Sequence, residues 1–129
     1  MISFFISGHP KSTQTGSVIR AGNRLIPIRR GTAWSSICGL VARDNAPEHP
    51  LDGPVMVEMT FQFLHPKGAK ERRMPAVRPD GENLIKGLCD SWNGVLYKDD
   101  AQIVDLIVKK RYGDREGVQV NVREIEEQS

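Results

Sequence analysis

The chain has 129 residues and a mass of 14.4 kDa, enough for one domain whose core buries roughly two thirds of the unfolded surface. With 39% hydrophobic and 26% charged residues it has the composition of an ordinary folded domain, which excludes a disordered, collagenous or low-complexity chain. Its net charge of +2 hides an asymmetry: residues 1–78 carry 11 basic and 5 acidic side chains, net +6, and residues 79–129 carry 7 and 11, net −4.

In chain order, Ile2, Phe4 and Ile6 alternate with Ser3 and Ser7, the period of a short opening strand. Residues 10–30 are polar and basic, with Ala21-Gly22-Asn23 as a turn between residues 17–20 and 24–28, an exposed basic hairpin or loop. Trp34, Ile37, Cys38 and Val41 recur at helical spacing after Thr32, a residue suited to capping a helix start, and Pro47 closes the segment. From Val55 to Phe63 the odd positions are apolar and the even ones mostly polar, a strand with one covered face. Residues 65–78 form a basic loop that contains Lys67, Lys70, Arg72 and Arg73, and its prolines exclude a continuous helix. Leu84, Ile85, Leu88, Cys89 and Trp92 mark a second amphipathic helix, ended at Asn93-Gly94. A strand from about Gln102 to Tyr112 and one carrying Val118, Val120 and Val122 read as a terminal hairpin, and residues 124–129 as a fraying acidic tail. The expectation is a single α+β domain over residues 1–129, in the order β-α-β-α-β-β, with a mixed or antiparallel sheet and two helices on one face.

No apolar run reaches the about 20 residues that cross a bilayer, and Met1–Gly8 lacks the basic start and long apolar centre of a secretory leader. A cytoplasmic chain with no membrane partner is expected. Cys38 and Cys89 lack a second Cys or His at ligand spacing and are expected as reduced, packed thiols. The Gly8–Gly16 stretch lacks the Gly-Lys-Ser/Thr of a phosphate-cradling loop, so no nucleotide cofactor is expected.

The chemistry concentrates between Arg78 and Asp100, where five acidic residues fall. Pro79 and Gly81 favour an extended or turn-like course, and in an extended chain Asp80 and Glu82 face the same way. Two convergent carboxylates repel each other unless a cation or proton lies between them, and such oxygens suit Mg²⁺ or Mn²⁺. Asp99-Asp100, just ahead of a strand, offers a third ligand. On a continuous helix Asn83, Lys86 and Asp90 share one polar stripe, opposite Leu84, Leu88 and Trp92. Lys86, one turn from the carboxylate pair, is placed to offset phosphate charge. The plainer alternatives are a solvated helix face with a modest Lys86–Asp90 pair, and acidic side chains favoured near a helix start.

The order and spacing of these residues resembles the RusA-type Holliday junction resolvases, whose signature is an Asp-x-Asp-Asn-x-x-Lys run, a helical Asp, and a downstream Asp-Asp-x-x-Ile or Val. The matching residues are Asp80, Glu82, Asn83, Lys86, Asp90, Asp99, Asp100 and Ile103. The resemblance extends to the opening strand, the Pro10-Lys11 loop, the helix near Trp34, the strand from Val55 and the last two strands. It implies a small α+β endodeoxyribonuclease that acts as a homodimer on branched DNA, with Mg²⁺ or Mn²⁺ held by Asp80, Glu82 and Asp100. It also implies Lys86 as the essential basic helix residue, with Asn83, Asp90 and Asp99 in support. Lys67, Lys70, Arg72 and Arg73, with the basic residues at 20, 24, 29 and 30, are candidates for tracking the DNA backbone. Glu82 departs from the pattern, standing one methylene longer where the family has Asp. A non-catalytic junction-binding protein of the same fold, with Glu82 marking a decayed metal site, is the alternative from another class. An enzyme of related chemistry acting on RNA is the third reading.

Overall fold

A computed structural model of the chain describes residues 1–11, 16–29, 33–66, 74–77, 80–85 and 87–126, with the backbone alone for 16–21, 24–29 and 33. The strand β4 (Val55–Phe63) lies inside the main sheet, and its odd-numbered residues from Val55 to Phe63 are buried while the even-numbered ones are half-buried. That period of two is what a strand with one covered face requires. On one side β4 pairs antiparallel with β6 (Gly117–Glu124), which pairs with β1 (Ile2–Ser7). On the other it pairs in parallel with β5 (Ile103–Tyr112), giving the order β1-β6-β4-β5. The registers align Phe4, Val120 and Met59 in one buried row and Ile6, Val118 and Phe61 in the next. On the opposite face Asn121 donates to Glu58 at 3.2 Å and Ser3 donates to Asn121 at 2.7 Å, a polar row suited to solvent.

The helix α1 (Ala33–Asp44) buries Trp34, Cys38 and Ala42, one residue from each successive turn. Ile37, expected on that face, is 38% exposed. Residues β2 (Gly16–Ala21) and β3 (Arg24–Arg29) form the expected hairpin as a separate two-stranded ribbon, turning at Gly22 with φ 64°.

The terminal strands do not form the expected hairpin. Strands β5 and β6 lie on opposite sides of β4, and residues 113–116 pass over its end, where the Gly113 N–H donates to the Phe63 carbonyl at 2.9 Å. Two strand spacings amount to about 10 Å, well within the reach of four residues. Pairing both strands to β4 satisfies its hydrogen-bonding groups on each side, whereas a hairpin would leave one of its edges bare.

The expected second helix is divided into α2 (Gly81–Ile85) and α3 (Leu88–Ser91) by Gly87, whose φ of 80° is a left-handed turn that glycine accepts without strain. Asn83 and Asp90 therefore do not lie along one continuous helix face. Helices this short have little stability of their own. They are held by Leu84, Leu88 and Trp92, all fully buried. The Trp92 indole N–H donates to the Cys38 carbonyl on α1 at 3.4 Å, and its ring meets Phe4 edge-on at 6.1 Å.

The start of β5 is tied to the loop before β4 by one side chain. Gln102 Nε2 donates to the carbonyls of Leu51 and Gly53, both at 2.8 Å, and its Oε1 accepts from the Asp99 N–H at 2.7 Å. Nearby, Glu124 accepts from the Gly53 N–H and the Ile125 N–H donates to Pro54, each at 2.8 Å, so the chain is held through Ile125 where a frayed tail was expected. Both cysteines are free. Burial pushes the Cys38 thiol up to about 12; burial first, and the Asp100 charge second, pushes Cys89 up to about 11. Among the described residues no helix is long and apolar enough to cross a membrane.

Two outcomes follow for stability. Gln102→Ala leaves two carbonyls and an N–H without their partner and should cost ~1–3 kcal/mol in urea unfolding; a change within error would show that water replaces the amide fully. The two thiols ionise in the unfolded chain from their ordinary 9.0 but in the folded chain only near 11 and 12. Their contribution is intact below pH 9 and drains as pH rises toward those values. Melting temperature should therefore fall above pH 9, and less steeply in a Cys38→Ala, Cys89→Ala double variant than in the parent.

Candidate functional site

The predicted carboxylates all lie on the crossover that leads from β4 to its parallel neighbour β5. Asp80 sits immediately before α2, and its carbonyl accepts from the Leu84 N–H at 3.1 Å, the bond that opens the helix. Its side chain is exposed, as are those of Glu82 and Asn83 in the first turn. The Asp80–Glu82 stretch is thus not the extended segment expected: Gly81 and Glu82 are helical, and residues two apart on a helix do not share a face. A Cβ on Gly81 would lie 3.7 Å from Val108 of β5, so the start of α2 rests against the middle of that strand. Lys86 lies outside the described residues, and so do Lys67, Lys70, Arg72 and Arg73.

Beyond α3 the chain folds back on itself. Gly94, with φ 76°, permits a tight turn in which its N–H donates to the Tyr97 carbonyl at 2.8 Å. Tyr97 is fully buried, and its hydroxyl donates to the Cys89 carbonyl at 2.5 Å, fastening the turn to α3. Burial foremost, with the neighbouring Cys89 thiol and the Asp100 and Asp90 carboxylates, holds that hydroxyl well above the usual tyrosine range, so it remains a donor. Leu51 completes the frame by accepting from the Lys98 N–H at 3.2 Å and donating to the Leu96 carbonyl at 2.9 Å.

This turn returns Asp99 and Asp100 to the end of α3. The Asn93 side-chain amide Nδ2 lies 3.1 Å from Asp90 Oδ1, 3.4 Å from Asp99 Oδ1 and 3.5 Å from Asp100 Oδ1. Oxygens that each lie within 3.5 Å of one nitrogen are no more than twice that distance apart. The structure therefore brings together Asp90, Asp99 and Asp100. Among the described residues no hydrogen bond joins Asp80 or Glu82 side chains to this group, and no three Asp, Glu, His or Cys side chains form a closed metal cluster.

The chemistry of the donors fits a hard divalent cation: all are carboxylate oxygens, and among the described residues none of the five is engaged in an ion pair. Asn93 Oδ1 is buried without a hydrogen-bond partner, an acceptor left over beside them. An apolar cleft of about 230 Å³ lies elsewhere, at the far ends of β4 and β5, lined by His9, Phe63, Pro75 and Tyr112 among others. It contains none of the predicted site carboxylates.

Sequence reasoning missed Asn93, Tyr97 and Gln102 as contributors. Asn93 was legible only as part of a helix stop, although it lies three residues from Asp90, a spacing at which helical side chains meet. Gln102 lies three residues after Asp99, the spacing of a helix-start capping pair. Tyr97 carries no local signal, because its partner is a backbone carbonyl.

A family model described as Endodeoxyribonuclease RusA matches residues 7–123. The chain is also similar to the Uncharacterized protein YqaN of Bacillus subtilis (strain 168), 28% identical over an alignment of 137 positions that takes in 96% of each chain. With the match running from the end of β1 almost to the end of β6, across the whole carboxylate-bearing crossover, the chain belongs to the RusA endodeoxyribonuclease family.

Proposed function

We propose that this chain is a Mg²⁺-dependent, structure-selective endodeoxyribonuclease that resolves four-way DNA junctions, with Mn²⁺ as a substitute ion. The observation that carries the reading is the family match across residues 7–123. The carboxylates on the β4–β5 crossover, without ion-pair partners among the described residues, support it. Asp80, Glu82 and Asp100 hold the cation, and Asn83, Asp90 and Asp99 shape their surroundings. When bound, a divalent cation supplies a nucleophilic water at neutral pH and offsets charge on the phosphate oxygens. Lys86 adds a positive charge against the phosphate. Hydrolysis joins the water oxygen to phosphorus and breaks the bond to the leaving oxygen, which departs as a hydroxyl.

Basic residues upstream of α2, Lys67, Lys70, Arg72 and Arg73, follow the DNA backbone, an interaction that is strong but carries no sequence information. The β2–β3 ribbon, with Arg20, Arg24 and Arg29 in its strands, gives a second basic element separate from the main sheet. A four-way junction is approximately two-fold symmetric and needs two opposed cuts, so a C2 homodimer presents one site to each strand. The edge strand β5 offers apolar surface to a second copy, with Val104, Leu106 and Ile107 exposed by 60%, 45% and 40%. The free cysteines suit a cytoplasmic setting. A second reading, a junction-binding homologue without catalysis, is favoured by Glu82 in place of the family's Asp.

Incubation with a labelled four-way junction, a linear duplex and a single strand, with and without Mg²⁺, separates the readings: cleavage confined to the junction with metal is expected. Asp80→Asn and Asp100→Asn should abolish cleavage while junction binding persists, Lys86→Ala should slow cleavage more than it weakens binding, and Glu82→Asp but not Glu82→Gln should remain active. Binding without cleavage by the unaltered chain would establish the non-catalytic reading. Sedimentation equilibrium at micromolar protein should give twice the subunit mass, and heterodimers with Asp80→Asn subunits should nick one strand only; a monomer making both cuts independently would refute the dimer.

A further inference from the structure

We infer that Asn93 is a positioning residue whose side-chain amide sets the spacing of Asp90, Asp99 and Asp100 and thereby the approach of Asp100 to the cation. The inference rests on the reading of Asp100 as a cation ligand and goes beyond it by naming the group that places that ligand. Asn93 Nδ2 is within 3.5 Å of one oxygen from each carboxylate, with Asp90 nearest at 3.1 Å. An amide nitrogen has two hydrogens for these three acceptors, so the three negative groups share a single neutral donor. Its own carbonyl does nothing to orient it, since Oδ1 is buried without a partner. The orientation of the amide is therefore set by the carboxylates, and the separation of the carboxylates by the amide.

The backbone fixes where this donor stands. The Asn93 N–H donates to the Asp90 carbonyl at 3.1 Å, and Gly94 closes the following turn onto Tyr97. The two ends of the loop, α3 with Asp90 and the residues entering β5 with Asp99 and Asp100, are thus joined by one side chain. Asp90 lies on the α3 side and Asp100 begins the short 3-10 turn that leads into β5. Without the amide, three like charges face one another, and mutual repulsion drives them apart. Partners that orient metal-binding carboxylates in this way matter nearly as much as the ligands.

The test uses Mn²⁺ alone as the probe, followed by the paramagnetic signal of the free ion, alongside melting in the absence of metal. Asn93→Ala should weaken Mn²⁺ binding by about tenfold or more and raise the Mg²⁺ concentration for half-maximal junction cleavage by a similar factor. Asn93→Asp keeps the shape, removes the donor and adds a fourth negative charge, so its metal-free melting temperature should fall by several degrees at neutral pH. Adding Asp90→Asn to Asn93→Asp, a transposed pair, restores one amide–carboxylate contact across the same 3.1 Å gap and returns the number of carboxylates to three, so it should recover part of that loss, which a mere turn-forming role of Asn93 would not. Unchanged Mn²⁺ affinity in a folded Asn93→Ala chain overturns the inference, and so does a failure of the transposed pair to recover stability or to fold. If Asn93→Ala does not fold, the transposed pair decides. An unaltered chain that binds no Mn²⁺ refutes the metal-dependent function instead, and the recovery of stability by the transposed pair then decides the role of Asn93 separately.

Discussion

The parallel pairing of β4 with β5 is the constraint on which the molecule depends. Neighbouring parallel strands cannot be joined by a tight turn; the chain must travel back along the whole sheet before the second strand begins. Here that return path is the stretch from Leu64 to Gln102, and it contains every predicted site carboxylate. The site is therefore attached to the sheet at both ends, at Phe63 and at Ile103. Gln102 adds a third attachment by bonding to Leu51 and Gly53 ahead of β4.

The crossover is held by apolar burial and carries polar chemistry on its outer side. Leu84, Leu88, Trp92, Leu96 and Tyr97 are fully buried, whereas Asp80, Glu82, Asp90 and Asp99 are exposed and Asp100 is half-buried. This division lets several carboxylates approach one another while water still screens them, which keeps the repulsion tolerable. Tyr97 and Cys89 sit at the boundary, their ionisation suppressed chiefly by burial and also by the Asp100 charge. The buried side of the turn thus stays neutral under the carboxylates, and its hydrogen bonds are not lost to a competing charge.

The same economy of connection explains the end of the sheet. The link 113–116 steps over β4, so β6 fills the position between β4 and β1 and the last strand becomes an interior one. Its valines then complete the rows begun by Phe4 and Ile6. Strand β5 is left at the edge, with apolar side chains in solvent, because nothing else in the described chain pairs beyond it.

What could be read from the residues alone was whatever depends on local spacing. The alternation in β1, β4 and β6, the helical recurrence of Trp34 and Cys38, and the apolar set Leu84, Leu88 and Trp92 each report burial of one face, and each element formed. The order of Asp80, Glu82, Asn83, Lys86, Asp90, Asp99 and Asp100 was enough to place the chain beside its family. Strand neighbours were not readable, because β5 and β6 would show the same local pattern whether paired to each other or to β4. Nor was the helix break at Gly87, since a glycine in a periodic segment is compatible with a continuous helix until the packing of Leu84 and Leu88 demands a turn. The convergence of Asp90, Asp99 and Asp100 on Asn93 depends on the Gly94–Tyr97 turn and on the buried Tyr97 hydroxyl. Those are contacts between residues whose separation along the chain carries no periodic signal, and only the tertiary structure decides them.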